Sequence, residues 1–287
     1  MSGAFDDWMG KTEVATDTIS LRQARQMAAT LGESCAGDGL TEGGVLPPLW
    51  HWMGWTPDTS MAGLGPDGHP AKGGFLPPVA LERRMWAGGR LQFLSSLRIG
   101  QPMQRRSEIL KVSEKTGSAG AMVFVTVGHQ TYGPDGLAVA EEQDIVYVAM
   151  PQTFAPPPPI AAPAKAVWVE TLMVNTARLF RFSALTFNAH RIHFDLPYAQ
   201  DVEKYPGLVV HGPLQAMLLM EASRRHRGGA LPESFRFRGV RPLFHFNTLR
   251  LIAQGVADDA PGTQALCTAT EDDVVCMQAD VIWGNGL

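Results

Sequence analysis

Residues 213–227 show the pattern of a buried helix. The segment begins with Pro213, which suits a first helical turn, and it is followed by Gly228 and Gly229. Gly212 is available as the N-cap residue. Leucine, methionine and alanine side chains occur on nearly every side of the predicted helix rather than on one face. We therefore expect other structure to enclose it.

Four runs of alternating or β-branched residues follow this helix and predict strands. Turn clusters rich in Asp, Pro and Gly separate the runs. Because consecutive runs are short and closely spaced, the pattern indicates an antiparallel sheet curled around one helix. The predicted strands are residues 234–239, 243–255, 263–271 and 274–283.

The first half of the chain repeats this order in outline. Residues 77–87, followed by Gly88 and Gly89, predict a helix, and further strands come after it. The shared order of helix, glycine pair and strands suggests an internal repeat. Residues 32–74 are rich in Gly, Pro and Trp, and we expect this irregular segment to form a binding site or to cover one. The predicted strands of this half are residues 90–99, 104–114, 122–132 and 137–150.

A proline-rich segment, residues 155–165, separates the halves. Its five prolines fix the backbone and remove five amide donors, so we expect an extended connector. The sequence therefore predicts an N-terminal domain over residues 1–155, a linker over 156–165 and a C-terminal domain over 166–287. After the linker, the short apolar run 184–187 is interpreted as a strand that leads into a polar loop.

Composition and charge narrow the function classes. Of the 287 residues, 45% are apolar and 18% are charged, as in a folded globular protein, and the net charge of −4 provides no positive field for nucleic acid. No apolar run is long enough to span a membrane, and the acidic residues near the N-terminus do not fit a secretory signal. Cys35, Cys267 and Cys276 are too widely spaced to indicate a disulfide framework or a zinc cluster. A cytoplasmic protein is expected.

Three of the eight histidines, His190, His193 and His211, fall within 22 residues near the start of the predicted helix. They could be ordinary loop histidines that bond to the backbone, or three metal ligands, although no carboxylate or cysteine with metal-site spacing accompanies them. In a third interpretation, a neutral histidine activates water beside Asn188, while the positive end of the helix at Gly212 stabilises a carbonyl oxygen that becomes negative. That chemistry requires an acyl substrate.

Two segments add a family resemblance. Residues 183–193, Ser-Ala-Leu-Thr-Phe-Asn-Ala-His-Arg-Ile-His, resemble a variant of the Gly-Asp-x-Asn-Pro-Ile-His signature of MaoC-like, type-two enoyl-CoA hydratases. Residues 208–212 resemble the start of the central helix of that family. The chain is most similar to the double hot-dog acyl-CoA hydratases, which include itaconyl-CoA and mesaconyl-CoA hydratases. The resemblance implies an α+β double hot-dog fold, with two antiparallel sheets that each wrap around a long central helix.

The resemblance also assigns catalytic roles. The catalytic histidine of the family falls on His193 and its catalytic aspartate on Asn188. Because an amide cannot act as a base, His193 is expected to do more of the acid–base work, unless a carboxylate such as Asp195 enters. The first half carries no equivalent Asn-x4-His pattern, which implies one active site per chain and an N-terminal half that accommodates substrate.

Further site residues follow from the same resemblance. Gly212 and His211 are expected to hold the thioester, and Arg191, His190 and Val210 are expected to bind the substrate, with Arg191 meeting a substrate carboxylate. The implied reaction is hydration of a short branched dicarboxylic enoyl-CoA, from itaconyl-CoA or mesaconyl-CoA to citramalyl-CoA. The expected partner is a small acyl-CoA molecule, without metal, cofactor, nucleic acid or membrane, and a homo-oligomer fits the family.

Three alternative functions stay open from the sequence. A dehydratase of fatty-acyl thioesters would use the same residues on another substrate. A thioesterase would direct water at the carbonyl carbon and release free CoA. A non-catalytic acyl-CoA-binding protein would need the pocket and not His193.

Overall fold

One antiparallel sheet of ten strands dominates the computed structural model, which describes residues 4–32, 39–117, 120–256 and 262–284. Of the described helices, none combines the length and apolar content that a membrane span needs. The helices are α1 (Leu21–Leu31), α2 (Thr176–Thr186) and α3 (Gly212–His226). The strands are β1 (Thr12–Thr18), β2 (Arg83–Phe93), β3 (Pro102–Gly117), β4 (Gly120–Gly133), β5 (Gly136–Val148), β6 (Trp168–Met173), β7 (Pro232–Gly239), β8 (Thr248–Val256), β9 (Thr263–Ala269) and β10 (Val275–Trp283).

Each half of the chain builds five strands in the same spatial order. Read from the outer edge inwards, the first half runs β1-β3-β4-β5-β2 and the second half runs β6-β8-β9-β10-β7. β2 pairs antiparallel with β7, and this pairing joins the halves into one sheet rather than the two separate sheets that we expected. The α+β double hot-dog fold is therefore confirmed, with the two sheets fused, and the strand order repeats between the halves. The predicted repeat of helix and glycine pair is wrong, because residues 83–93 form a strand.

The glycine pair of the first half lies in β2 at this seam, not at the end of a helix. A Cβ atom on Gly88 would lie 2.6 Å from the carbonyl oxygen of Phe237, so glycine is required where the two strands meet. The predicted helix over residues 77–87 is wrong, because Arg83 and the residues after it pair with β5. Cross-strand hydrogen bonds and burial outweigh the local helix preference there. Of the eight predicted strands, 90–99 is the one that overlaps only the end of an observed strand.

The enclosed helix of the second half is α3, as predicted. Its side chains from Leu214 to Ser223 are buried in a core that both halves share. The helix begins at Gly212, and His211 rather than Gly212 is the N-cap residue. At this end of α3, Gly212 and Pro213 are only partly buried, whereas the residues that follow them are enclosed.

Two other helices are absent from the sequence prediction. α1 begins with a capping box in which Ser20 and Gln23 exchange hydrogen bonds. α2 includes residues 184–186, so the interpretation of 184–187 as a strand is wrong. This helix ends at Phe187, which has left-handed backbone with φ 48°. The polar loop that follows thus leaves a helix rather than a strand.

The first half has no counterpart of α3 among the described residues. Between α1 and β2, residues 39–82 form extended segments and short 3-10 turns, among them Trp50–Met53. The side chains of Leu49, Trp50 and Met53 are at most 1% exposed and belong to the same core as α3. The expectation of a long central helix in each half is therefore wrong for the described part of the first half.

The proline-rich segment runs between β5 and β6 and contacts the second half. Val275 donates to the carbonyl oxygen of Ile160 at 2.8 Å, and Ala162 donates to that of Asp273 at 2.7 Å. The segment is thus held at the start of β10. The division into domains 1–155 and 166–287 stays a prediction, because the core is shared across it. Cys35 lies outside the described residues.

Candidate active site

The polar loop after α2, residues 188–195, is held at both sides by backbone hydrogen bonds. The N–H of Arg191 donates to the carbonyl oxygen of Asp67 at 2.9 Å, which joins the loop to the first half of the chain. The N–H of Val209 donates to the carbonyl oxygen of Ile192 at 2.9 Å, which joins it to the segment before α3. The irregular segment of the first half therefore packs against this loop.

Four imidazole rings lie side by side in space near the start of α3. We call them the histidine row, and its members are, in spatial order, His69, His190, His193 and His211. Adjacent ring centroids are 4.3 Å apart for His69 and His190, and 5.5 Å apart for His190 and His193. The rings of His193 and His211 stack with centroids 3.6 Å apart. The three histidines that the sequence places in one cluster are thus together, and His69 from the first half joins them.

The ring of His193 is held as one tautomer. Its Nδ1 lies 2.7 Å from the carbonyl oxygen of Val209, which can only accept, so Nδ1 carries the proton and Nε2 has a free lone pair. Burial lowers the pKa of His193 well below its usual value, and the rings of His211 and His190 lower this pKa further. His193 is therefore neutral at pH 7 and able to accept a proton from water.

His211 packs against that ring and is itself 1% exposed. Its Nε2 lies 2.9 Å from Oγ of Ser183, and burial lowers the pKa of His211 to about 3. A neutral, enclosed imidazole in this position limits the movement of the His193 ring. Of the two residues predicted to hold the thioester, His211 therefore has its side chain enclosed, whereas Gly212 adjoins open space.

The first turn of α3 offers free backbone donors. Within the described chain, the N–H groups of Gly212 and Leu214 have no hydrogen-bond acceptor, and Pro213 between them has no N–H. A Cβ atom on Gly212 would meet nothing within 4 Å. Together with the helix dipole, these donors suit an oxygen atom that gains negative charge beside Gly212.

Two carboxylates bond to the histidine row. Oδ2 of Asp67 lies 2.9 Å from Nδ1 of His69, and Oε1 of Glu203 lies 3.0 Å from Nε2 of His190. Glu203 is buried and also accepts from Nε of Arg83 at 3.0 Å. Burial raises the pKa of Asp67, but the hydrogen bond and the charge of His69 outweigh burial and lower this pKa to about 2. Burial lowers the pKa of His69 to about 4.

Asn188, at the position of the family aspartate, does not bond to His193. Its Oδ1 accepts from the backbone N–H of His190 at 2.9 Å, so the side chain shapes the turn. Val210 is 2% exposed, and its N–H donates to the carbonyl oxygen of Leu243 at 2.8 Å, which makes it part of the core. His190, predicted to bind substrate, is paired instead with Glu203.

Arg191 is engaged within the protein. Its guanidinium donates to Oδ2 of Asp195 at 2.9 and 2.7 Å and to the carbonyl oxygen of Pro66 at 3.0 Å, and it lies 4.1 Å from the ring centroid of Tyr198. Arg191 therefore has few donors left for a substrate carboxylate. Asp195 is likewise held by Arg191 and makes no hydrogen bond to His193.

Sequence reasoning missed Asp67, His69 and Glu203, and it considered Arg83 only as a helix charge that could meet a CoA phosphate. The only signal for the first two is the spacing Asp-Gly-His within the irregular segment, and that spacing says nothing about which distant loop it contacts. Arg83 was assigned to a helix, although it lies in β2 at the seam between the halves. These four residues are brought to the row by tertiary contacts alone.

Asp67, His69 and His190 have possible ligand atoms within 4.8 Å of one another, a spacing that could hold a metal ion. Both oxygens of Asp67 already accept from His69, one from the ring and one from the backbone N–H at 3.0 Å. His190 is paired with Glu203. Because each group already has a hydrogen-bond partner, we interpret them as two hydrogen-bonded pairs, Asp67 with His69 and His190 with Glu203, and the absence of a metal requirement stays a prediction.

Comparison with known proteins identifies relatives along most of the chain. A family model described as hydroxyacyl-thioester dehydratase type 2 matches residues 49–245. The chain is 46% identical over 252 residues to a Chloroflexus aurantiacus protein named mesaconyl-C(4)-CoA hydratase. The aligned region covers 88% of this chain and 89% of that protein. A MaoC-like dehydratase structure from Phytophthora capsici has a TM-score of 0.71 at 14% identity, covering 96% of each chain. A Mycobacterium tuberculosis structure described as a double hot-dog fold has a TM-score of 0.61 at 14% identity, covering 98% of each chain.

Proposed function

The chain belongs to the family of type 2 hydroxyacyl-thioester dehydratases, and we propose that it hydrates a short branched dicarboxylic enoyl-CoA, from itaconyl-CoA or mesaconyl-CoA to citramalyl-CoA. One observation carries the proposal. The neutral ring of His193, with its free Nε2, stacks on the residue that precedes the free N–H groups of Gly212 and Leu214. A base for water and donors for a thioester oxygen therefore lie side by side.

The reaction follows from these two groups. Nε2 of His193 takes a proton from water while the water oxygen bonds to the β-carbon of the enoyl group. In mesaconyl-CoA the C=C bond is conjugated with the thioester, so its electron pair moves to the thioester oxygen, whose negative charge the N–H groups of Gly212 and Leu214 stabilise. Protonated His193 then delivers its proton to the α-carbon, which restores both the thioester and the neutral ring. The product contains all atoms of one water molecule. In itaconyl-CoA the C=C bond lies one carbon further from the thioester, so a proton first moves from the α-carbon through His193 to the terminal carbon, which gives mesaconyl-CoA.

Two observations support a dicarboxylic substrate. The C. aurantiacus relative is named as a hydratase of mesaconyl-C(4)-CoA. In addition, the guanidinium of Arg84 in β2 donates to the carbonyl oxygen of Pro70, the residue after His69, at 3.3 Å, and among the described residues it has no carboxylate at ion-pair distance. Burial is the main cause that lowers the pKa of His69, and the charge of Arg84 adds to it. Because Arg191 is already bonded to Asp195, we propose Arg84 as the cation that meets the substrate carboxylate.

A screen of enoyl-CoA substrates, read by mass spectrometry for the gain of one water, tests this function. We expect mesaconyl-CoA or itaconyl-CoA to exceed crotonyl-CoA by at least ~30-fold in kcat/KM, or about 2 kcal/mol, because crotonyl-CoA lacks the carboxylate that a guanidinium would bind. A preference for crotonyl-CoA and longer monocarboxylic substrates would favour the fatty-acyl dehydratase. Free CoA would indicate a thioesterase, and binding without turnover would indicate a non-catalytic protein.

The cation is tested by Arg84→Met. This change should reduce the preference for the dicarboxylic substrate to below ~5-fold and leave crotonyl-CoA turnover within ~3-fold, because crotonyl-CoA has no carboxylate to lose. Arg98→Met is the matched control, since Arg98 is 42% exposed and its guanidinium lies 3.8 Å from Asp135 rather than beside the histidine row. An unchanged preference in Arg84→Met, together with a reduced one in Arg191→Met, would return the assignment to Arg191.

A further inference from the structure

Three carboxylates lie on or beside the histidine row, and they differ in their cationic partners. Glu203 is paired with Arg83 at 3.0 Å. Asp195 is paired with Arg191 at 2.7 Å. Within the described residues, no lysine or arginine nitrogen lies at ion-pair distance from Asp67, whose partner is an imidazole. Of the three, Asp67 is therefore the carboxylate that forms no ion pair with a described lysine or arginine, and Lys72 and Arg84 act on the Asp67–His69 pair only at longer range.

The segment that carries Asp67 fits closely against the loop of the second half. Gly68 has φ +89°, and a Cβ atom there would lie 1.9 Å from the carbonyl oxygen of Ala189. The carbonyl oxygen of Asp67 accepts from the N–H of Arg191 at 2.9 Å. The Asp67 side chain is 17% exposed, so water screens its charge only partly. These contacts fix the position of the carboxylate relative to the row.

We propose that Asp67, acting through His69, supplies the negative charge that stabilises the histidine row while His193 is protonated during hydration. The position of the family aspartate is occupied by Asn188, which carries no such charge. This inference rests on the proposed function. Asp67 is a positioning residue and not a catalytic one, because the rings of His69 and His190 lie between its carboxylate and the ring of His193. The first half of the chain thereby contributes to the chemistry of the site.

The need for such a charge follows from the environment of His193. When its Nε2 takes a proton from water, the ring becomes a cation at a position that is 7% exposed. The ring of His211 stacked on it is neutral and provides no counter-charge. A cation with so little hydration requires a negative partner, and Asp67 is ionised and connected to the row. The proton then leaves to the α-carbon, so Asp67 neither gains nor loses one.

The test uses the full-length enzyme with mesaconyl-CoA. Asp67→Asn preserves the shape of the side chain and removes its charge, and we expect kcat to fall by about 20-fold with KM within about 3-fold, because the charge acts on the protonated intermediate rather than on bound substrate. Asp67→Glu restores the charge and should return kcat to within about 5-fold of the wild type. The control is Glu170→Gln. Oε1 of Glu170 lies 3.0 Å from Nε2 of His226, near the C-terminal end of α3, and this variant should keep kcat within about 2-fold of the wild type.

The outcomes separate this inference from the proposed function. If the wild type hydrates no enoyl-CoA, the two fall together. If the wild type is active and Asp67→Asn retains full kcat, the inference alone is overturned. It is also overturned if Asp67→Glu loses as much kcat as Asp67→Asn, or if KM rises by the factor by which kcat falls, since either result indicates a structural role. Should Asp67→Asn not fold, His69→Gln separates the charge from the row and carries the same expected loss of kcat.

Discussion

The two halves of the molecule share one strand order but differ in what packs against the sheet. The second half encloses α3, whose first turn presents free N–H groups beside His193. In the described part of the first half, short 3-10 turns and bulky side chains such as Trp50 fill the core instead. The same five-strand scaffold therefore supports a helix start with free donors in one half, and a packed core without such a helix in the described part of the other.

Both halves bury histidines, and the comparison shows what a catalytic base needs. In the first half, Nδ1 of His129 lies 2.9 Å from Oγ of Ser107, and Nε2 of His51 lies 3.2 Å from Glu141. Burial lowers the pKa of His129 to about 4, much as it lowers the pKa of His193. Burial alone thus makes a histidine neutral. Among the described residues, a neutral ring with a free nitrogen lies beside the donors of a helix start in the second half alone.

The strongest way to break this comparison is His193→Ala. We expect kcat to fall by at least ~100-fold, about 2.7 kcal/mol, because the general base for water is removed. Steady-state kinetics with mesaconyl-CoA measure the loss, and the melting temperature should change little. A variant that retains a near-normal rate would remove His193 from the mechanism and end the distinction between the halves.

Gly68→Ala tests the contact between the halves. The added Cβ would meet the carbonyl oxygen of Ala189 and would also strain a left-handed backbone, so the segment that carries His69 should move away from the loop. We expect kcat to fall by about 10-fold. Gly136→Ala is the matched control, because Gly136 has φ +102° but a Cβ there would meet nothing within 4 Å. Equal losses of activity in both variants would show that strain, and not the contact, matters.

His129→Gln sharpens the comparison from the first half. We expect kcat to stay within about 3-fold, since His129 lies outside the histidine row. Its folded pKa of about 4 is below the usual 6.5, so the unfolded state binds the proton first and stability falls as the pH drops from 6.5 to about 4. Between these pH values, the free energy of unfolding of the variant should depend less steeply on pH than that of the wild type, by about 1.36 kcal/mol per pH unit. Denaturant unfolding at several pH values measures this slope. An unchanged slope would contradict a buried, neutral His129.

The smallest expected effect is that of chelation. We expect hydration to persist after exhaustive treatment with a chelator, because Asp67 is hydrogen-bonded to His69 and His190 to Glu203. Loss of activity that zinc restores would identify Asp67, His69 and His190 as ligands. The comparison between the halves would then rest on a metal site rather than on a helix start.

The pattern of apolar and polar residues along the chain predicts the elements that depend mainly on neighbouring residues. The apolar helix between Pro213 and the glycine pair was predicted nearly to its observed bounds, and most strands of both halves coincide with alternating runs. The predicted helix over residues 77–87 is wrong because β5 pairs with β2 from Arg83 onwards, and such pairing overrides a local preference. α2 was missed because its short apolar end, 184–186, reads equally well as a strand.

The sequence by itself determined that His190, His193 and His211 lie near the start of a buried helix, because they are close in the chain and flank an unambiguous helical pattern. Only the tertiary structure decided which nitrogen of His193 is free, since its tautomer depends on the carbonyl oxygen of Val209. It also decided that Asp67 reaches this site, because that contact joins segments far apart in the chain through a close backbone approach. Periodicity reports on neighbours along the chain, whereas the charge and protonation of a buried group depend on neighbours in space.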